Sequence, residues 1–353
     1  MPVAGSGRRR IGKQLTIAPL GPQTDRPSTL SDVLYIVQQG NVEPWLTDFQ
    51  AAADGAVDYA VFDPDRPLAD QLAGVKVVVD QGGHATKEQI DAGASAGVRL
   101  WQVLGTGVDH TEVEHILSRG ITLANTPGQF SAVALAEHAL MLILCLAKNL
   151  RESEANTRIG RMYQPVNDEL GGLLLGIVGL GASGRELAVR ARALGMRIQA
   201  VDVAPVPDEV LTELGVERFT GLDGLDELLA SSDYVSLHVP LTDDTRHLID
   251  GRRLRLLKPT AAFVNVARGR IVDEDALADA LRERRIRGAG IDVFGQEPLE
   301  PDNRLLQLDN VVATPHTAGV TRGTSRRRSA VCVENAQRVL RGEEPLYMIP
   351  AGG

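Results

Sequence analysis

Leu173-Leu174-Leu175-Gly176-Ile177-Val178 runs directly into Gly179-Leu180-Gly181-Ala182-Ser183-Gly184, and this stretch decides the fold. The apolar run reads as a buried strand, and the glycine pattern G-x-G-x-x-G follows it without a break. Leu187, Ala188, Ala191 and Leu194 then repeat at helical spacing, and Gly195 supplies a stop. A second strand, Arg197–Val201, ends in Asp202. Strand, glycine turn, helix, strand and acid in this order form the phosphate-binding unit of a dinucleotide fold. Gly179 permits the tight turn, Gly181 lets a pyrophosphate approach the backbone, and Gly184 lets helix and strand pack closely. The helix start at Ala182 and Ser183 offers unpaired N–H groups to phosphate. Asp202 has the spacing of the acid that bonds ribose hydroxyls, and its charge repels a 2′-phosphate, which favours NAD over NADP.

The same grammar extends outward in both directions. Before the turn, strands are expected at Val33–Val37, Tyr59–Phe62, Val75–Val79, Leu100–Leu104 and Ile121–Ala124, with helices such as Lys87–Ala94 and Thr111–Arg119 between them. After it, strands are expected at Tyr234–His238, Ala262–Val266, Gly288–Asp292 and Val311–Thr314. The alternation implies parallel sheets covered on both faces. A long apolar helix is expected from Ala132 to Asn149, an irregular surface connector over Arg151–Leu170, and a last helix from Gly323 to Arg341. Residues 1–30 mix Gly, Pro, Arg and Ser without period and read as a flexible lead-in with no secretory h-region.

A chain of 353 residues suits two domains, and its net charge of −9 gives no general support to a nucleic-acid role. No apolar run reaches membrane-spanning length. Cys145 and Cys332 read as buried free thiols, which suits a cytoplasmic protein, and no metal site is expected. The ends of successive strands carry groups that converge on one chemistry. Arg268 can hold a planar carboxylate through paired hydrogen bonds, and His316 can exchange a proton near neutrality. Asp292 and Glu297 are carboxylates close enough in the chain to tune an imidazole. Together these are the groups that hydride exchange with a 2-keto acid requires. The cluster Arg322, Arg326, Arg327 and Arg328 reads as a solvated or ion-paired face, with Arg322 nearest to His316 in the chain. His84, His110, His115, His138 and His247 read as structural or surface residues, with His138 packed in its helix.

Seven ordered strings resemble the D-isomer-specific 2-hydroxyacid dehydrogenases. They are Gly105-Thr106-Gly107-Val108-Asp109, Ala136-Glu137-His138, Gly179–Gly184, His238-Val239-Pro240-Leu241-Thr242, Asn265–Gly269 with Val272-Asp273-Glu274, Gly290–Val293 ending in Glu297-Pro298, and Pro315–Gly319. The resemblance implies two Rossmann/flavodoxin-like α/β domains, the NAD-binding domain (129–315) being inserted into a discontinuous substrate domain (31–128 plus 316–353). It implies hydride transfer between NAD and C2 of a small D-2-hydroxy acid. By the same resemblance Arg268 binds the substrate carboxylate and keto oxygen, His316 exchanges the proton, and Glu297 is its partner. Thr106 and Gly107 complete the carboxylate site through backbone N–H groups. Asp292 contacts the nicotinamide carboxamide, His238, Val239 and Pro240 line the adenosine or ribose side, and Val266 and Ala267 also border the cofactor. A homodimer is implied, with no nucleic acid or membrane as partner.

Ser183 stands where the family often has an apolar or large residue. Asp80-Gln81-Gly82-Gly83 stands where members taking phosphorylated substrates often carry an arginine, and the chain ends soon after its last helix. Both of the latter points weigh against 3-phosphoglycerate. NAD-sensing co-repressors share these motifs, so they remain an alternative. Formate-type enzymes replace the acidic partner of the histidine with an amide, which Glu297 does not match, whereas phosphite oxidation survives that test.

Overall fold

In the computed structural model, residues 31–38 and 43–350 are described, and the expected lead-in lies outside them. The first sheet holds β1 (Val33–Ile36), β2 (Tyr59–Val61), β3 (Val77–Asp80), β4 (Leu100–Val103) and β5 (Thr122–Ala124) in the order β2-β1-β3-β4-β5. The second holds β6 (Leu174–Val178), β7 (Arg197–Val201), β8 (Val216–Thr220), β9 (Tyr234–Leu237), β10 (Ala262–Asn265), β11 (Gly288–Ile291) and β12 (Val311–Ala313) in the order β12-β11-β10-β9-β6-β7-β8. Every pairing within these sheets is parallel. The first order is flavodoxin-like, and the second is the dinucleotide-binding order with its reversal between β6 and β9. The expected pair of α/β sheets is therefore present.

Each sheet is sealed by a helix distant in sequence. The helix Arg322–Leu340 lies against Trp45–Ala53 and buries Cys332, Val333, Ala336 and Val339 in the core of the first sheet. The helix Ala132–Ala147 lies against Ala182–Ala193, β10 and β11, and buries Ala136, Ala139, Leu142 and Ile143 in the core of the second. The chain thus crosses from one sheet to the other after β5 and returns after β12.

Three features depart from expectation. The connector over Arg151–Leu170 opens with a helix, Leu150–Arg158, bent 54° from its predecessor at Asn149, whose φ is +43°. Its side chains are polar and mostly exposed, so no apolar period marked it; a Glu154–Arg158 pair lies along it at helical spacing. The strand β8 was not expected either. It is an edge strand whose Glu217 and Arg218 face solvent, so it shows no apolar run. Both cysteines are free, but Cys145 is half-buried where full burial was expected. No single helix among the described residues is long and apolar enough to cross a membrane.

Candidate active site

The glycine turn has the shape its sequence requires. Gly179 adopts φ +97°, and a Cβ there would lie 2.6 Å from the His238 carbonyl oxygen. A Cβ on Gly184 would lie 2.1 Å from the Gly179 carbonyl oxygen, so the helix could not sit this close to the turn. Gly181 faces open space and starts the helix Ala182–Ala193 without a side-chain cap, leaving its first N–H groups for an anion. Asp202, at the end of β7, accepts from the Leu180 N–H at 2.6 Å and the Ala204 N–H at 2.9 Å. These bonds tie it to the glycine turn and leave further acceptor capacity. The turn, the open helix end and the carboxylate fit a dinucleotide.

Ser183 has a local explanation. Its Oγ lies 3.0 Å from Nδ1 of His238, and Ser236 Oγ lies 2.9 Å from Nε2. The imidazole joins the glycine turn to the end of β9, and Val239 beside it touches Gly179. Pro240 is exposed at the rim. Burial pushes His238 down to about 4 from an ordinary 6.5. Between those values the unfolded chain binds more protons, so stability rises with pH across the window and is lost as pH falls through it. Part of the residue meets solvent, so the stake is below the ~3 kcal/mol of the full shift. His238→Asn is expected to lose less stability than wild type between pH 7 and pH 4.5, by roughly 1–2 kcal/mol in chemical denaturation. Equal losses in the two proteins would contradict this role.

Three strand ends of the second sheet carry the titratable set. Beyond β10, Val266 and Ala267 are buried; Asn265 accepts from the Ala267 N–H at 3.0 Å and donates to the Arg268 carbonyl at 2.9 Å, which fixes the turn. Arg268 then reaches across to the first sheet. Its Nε donates to Asp109 at 3.2 Å, and its guanidinium rests on Gly107, where a Cβ would lie 1.7 Å from Nη2. Burial would raise the Asp109 carboxyl, but the charge and hydrogen bond of Arg268 outweigh it and hold it below the ordinary value. Neither the Thr106 nor the Gly107 N–H is bonded to another described residue, so both remain available to a carboxylate.

Beyond β12, His316 sits at φ +55°, its N–H bonded to the Asp292 carbonyl at 2.8 Å. Its Nδ1 lies 2.6 Å from Glu297 Oε2, and the other oxygen of Glu297 accepts from the Phe294 N–H at 2.9 Å. Burial alone would raise Glu297; the hydrogen bond and charge of His316, the Phe294 N–H and Arg268 together hold it below its ordinary value. The carboxylate is thus ionised and locked, and it fixes the imidazole through one nitrogen, leaving Nε2 as the nitrogen able to exchange a proton.

Asp292 also holds the backbone of the crossing. It is wholly buried and accepts from Thr314 Oγ1 at 2.6 Å, the Thr317 N–H at 2.9 Å and the Ala318 N–H at 2.8 Å. It pins the returning chain on either side of His316, with His138 Nε2 3.4 Å away. His138 also lies 2.8 Å from Thr314 Oγ1, so it ties its helix to this crossing. His84 and His110 stack with centroids 4.3 Å apart next to Gly82 and Gly83.

One member of the arginine cluster departs from the expected solvated face. Arg322, Arg326 and Arg327 are exposed as expected, but Arg328 turns inward, and its Nη2 donates to Thr106 Oγ1 at 2.8 Å and Ser131 Oγ at 3.2 Å. A signal existed: Arg328 shares a helical face with Ser325, Cys332 and Asn335, all buried.

Comparison with known proteins gives the family and the fold. Residues 140–318 match the model of the D-isomer specific 2-hydroxyacid dehydrogenase NAD binding domain. The chain is 40% identical over 262 residues to a glyoxylate reductase of Korarchaeum cryptofilum, covering 72% of this chain and 77% of that one. It is 36% identical over 294 residues to a D-3-phosphoglycerate dehydrogenase of Methanocaldococcus jannaschii, covering 82% of this chain, and it spans about half (54%) of that protein's length. The structure of D-lactate dehydrogenase from Aquifex aeolicus, complexed with NAD and lactic acid, superposes with a TM-score of 0.74 at 28% identity, covering 88% of this chain and 96% of that one. A paired-sheet fold with a dinucleotide turn and an Arg–Glu–His set at its strand ends defines an NAD-dependent oxidoreductase. The chain belongs to the D-isomer-specific 2-hydroxyacid dehydrogenase family.

Proposed function

We propose that this chain interconverts a small 2-keto acid and its D-2-hydroxy acid, with reactivity of the kind shown by glyoxylate and hydroxypyruvate reductases. The observation that carries the reading is the 2.6 Å contact between His316 and Glu297, set beside an arginine that rests on free backbone N–H groups. NAD, when bound, supplies or accepts the hydride at C2. Arg268 holds the substrate carboxylate and polarises the keto oxygen, helped by the N–H groups of Thr106 and Gly107. His316 delivers a proton from Nε2 to that oxygen as the alcohol forms, and Glu297 stabilises the imidazolium form. In oxidation the same nitrogen takes the hydroxyl proton.

Gly179, Gly181, Ala182, Ser183 and Gly184 hold the pyrophosphate. Asp202 takes the ribose hydroxyls; His238, Val239, Pro240, Val266 and Ala267 border the rest. Asp292 lies at the nicotinamide carboxamide and also holds the crossing in place. Substituting Asp202 with Ala is expected to raise the kcat/KM ratio of NADPH to NADH at least tenfold, about 1.4 kcal/mol of removed repulsion. A ratio that does not move would put the ribose elsewhere.

The lobes divide at 128/129 and 315/316, a boundary supported by the helices that seal each sheet, and the crossings serve as the hinge. We place the enzyme in the cytoplasm, where two unbridged cysteines are stable. We take it to be a homodimer, since Met141, Leu150, Ile159, Met162 and Val166 expose apolar surface along one stretch of chain. Light scattering that gives a monomer at micromolar concentration would remove the dimer. The deciding assay is a panel of 2-keto acids with NADH and NADPH, repeated with D- and L-2-hydroxy acids in reverse. D-selective turnover is the expected result; NADH binding without turnover of any acid would replace the enzyme with a cofactor-sensing protein.

A further inference from the structure

Arg268 and Arg328 both touch the Gly105–Gly107 loop, but they are compensated differently. Arg268 has the Asp109 carboxylate at 3.2 Å. Among the described residues, no carboxylate lies within 4 Å of Arg328; its partners are the neutral hydroxyls of Thr106 and Ser131. Its guanidinium carbon stands 5.8 Å from the centroid of the Trp45 ring, and its Nε is buried without a partner. Trp45 Nε1, Ser325 Oγ and Ser329 Oγ are further buried polar atoms without partners on the same two packed helices. Asp48, on the helix facing Arg328, pairs only through Oδ1 with the exposed Arg326 at 3.6 Å, and its Oδ2 is buried without a partner and lies beyond 4 Å of Arg328. Cys332 adds no counter-charge, since burial pushes its thiol up to about 12. Burial, with repulsion from Arg268, brings Arg328 down to about 10, and it stays protonated at neutral pH.

A desolvated guanidinium without an anion is costly, by several kcal/mol, and an incoming anion with matching geometry removes that cost. The loop that Arg328 grips is the one whose N–H groups face the substrate carboxylate in the function proposed above. We infer that Arg328, with Thr106 and Ser131, is the subsite for a second anionic group on C3 of the keto acid, so that the preferred substrates are short 2-keto acids ending in a carboxylate or a sulfonate. This inference rests on the dehydrogenase reading and names its substrate class. Asp80, at the end of β3, is spent on the N–H groups of Gly83 and Ala85 and on Trp101.

The test compares kcat/KM for oxaloacetate and 3-sulfopyruvate with that for pyruvate and hydroxypyruvate, in wild type, Arg328→Met and Arg328→Lys. Wild type is expected to favour at least one doubly charged acid tenfold or more. That preference should collapse at least 30-fold in Arg328→Met and only partly in Arg328→Lys. No preference in wild type, or an equal fall on all four acids in Arg328→Met, would overturn the subsite; the equal fall would make Arg328 a second holder of the common carboxylate. NADH titration checks that each variant is folded, and Arg328→Lys carries the test if the Met variant is not. Thermal shifts with malonate, sulfoacetate and acetate, in the presence of NAD, separate this inference from the reading beneath it. A shift by the dianions that exceeds the acetate shift and is lost in Arg328→Met keeps the subsite even if no keto acid is reduced. Equal shifts by all three remove it even if pyruvate is reduced.

Discussion

Replacing His316 with Gln is expected to lower kcat for keto-acid reduction by roughly 10³-fold, the middle of the range for a positioned proton donor, while leaving NADH affinity within a factor of three. The separation follows from where the residue sits. His316 is bonded to Glu297 and to the Asp292 carbonyl, whereas the dinucleotide turn is at the end of β6. Glutamine keeps the polarity and can still bond Glu297, but it cannot supply a proton. Stopped-flow reduction with NADH fluorescence reads both quantities. Turnover close to wild type would mean that another group or water protonates the substrate, and the assignment of His316 would fall.

The second large effect is at Arg268. Removing its side chain as Arg268→Ala is expected to cost about 3 kcal/mol or more of transition-state stabilisation, a loss of at least 100-fold in kcat/KM. The guanidinium fills the space above Gly107, and its departure also leaves Asp109 without its partner. That carboxylate would then face the substrate carboxylate, adding repulsion to the lost attraction. Arg268→Ala with Asp109→Asn should therefore recover part of the loss. An unchanged kcat/KM in the single variant would exclude Arg268 from the substrate.

The sequence made most of this legible where burial and special backbone coincide. Leu173–Val178, the three glycines and Asp202 could be read because each has a period or a steric reason. Residues at strand ends were legible because parallel sheets collect ligands there. What stayed hidden depends on contacts across long sequence separations. Only its helical face, shared with Ser325, Cys332 and Asn335, sets Arg328 apart from Arg327, yet one bonds Thr106 and Ser131 and the other the Phe130 carbonyl at the surface. Ser183 looked like a departure until His238, 55 residues on, supplied its partner. Asp292 was assigned to the cofactor by resemblance, and only the fold shows its carboxylate holding the backbone around His316. The strand β8 and the helix Leu150–Arg158 were missed because polar, exposed elements leave no hydrophobic trace.

Arg268 and Glu297 stand at strand ends of the second sheet, and His316, the first residue past the crossing, is tied to that sheet through its N–H on the Asp292 carbonyl and its ring on Glu297. Thr106, Gly107, Asp109 and Arg328 come from the other. The groups that move the proton and Arg268, which holds the carboxylate common to every 2-keto acid, therefore stay tied to one sheet, and the groups that read the rest of the acid belong to the other. Drift in the first lobe can exchange one acid for another without retuning the histidine, and a single reaction can spread over many substrates through changes confined to half of the molecule.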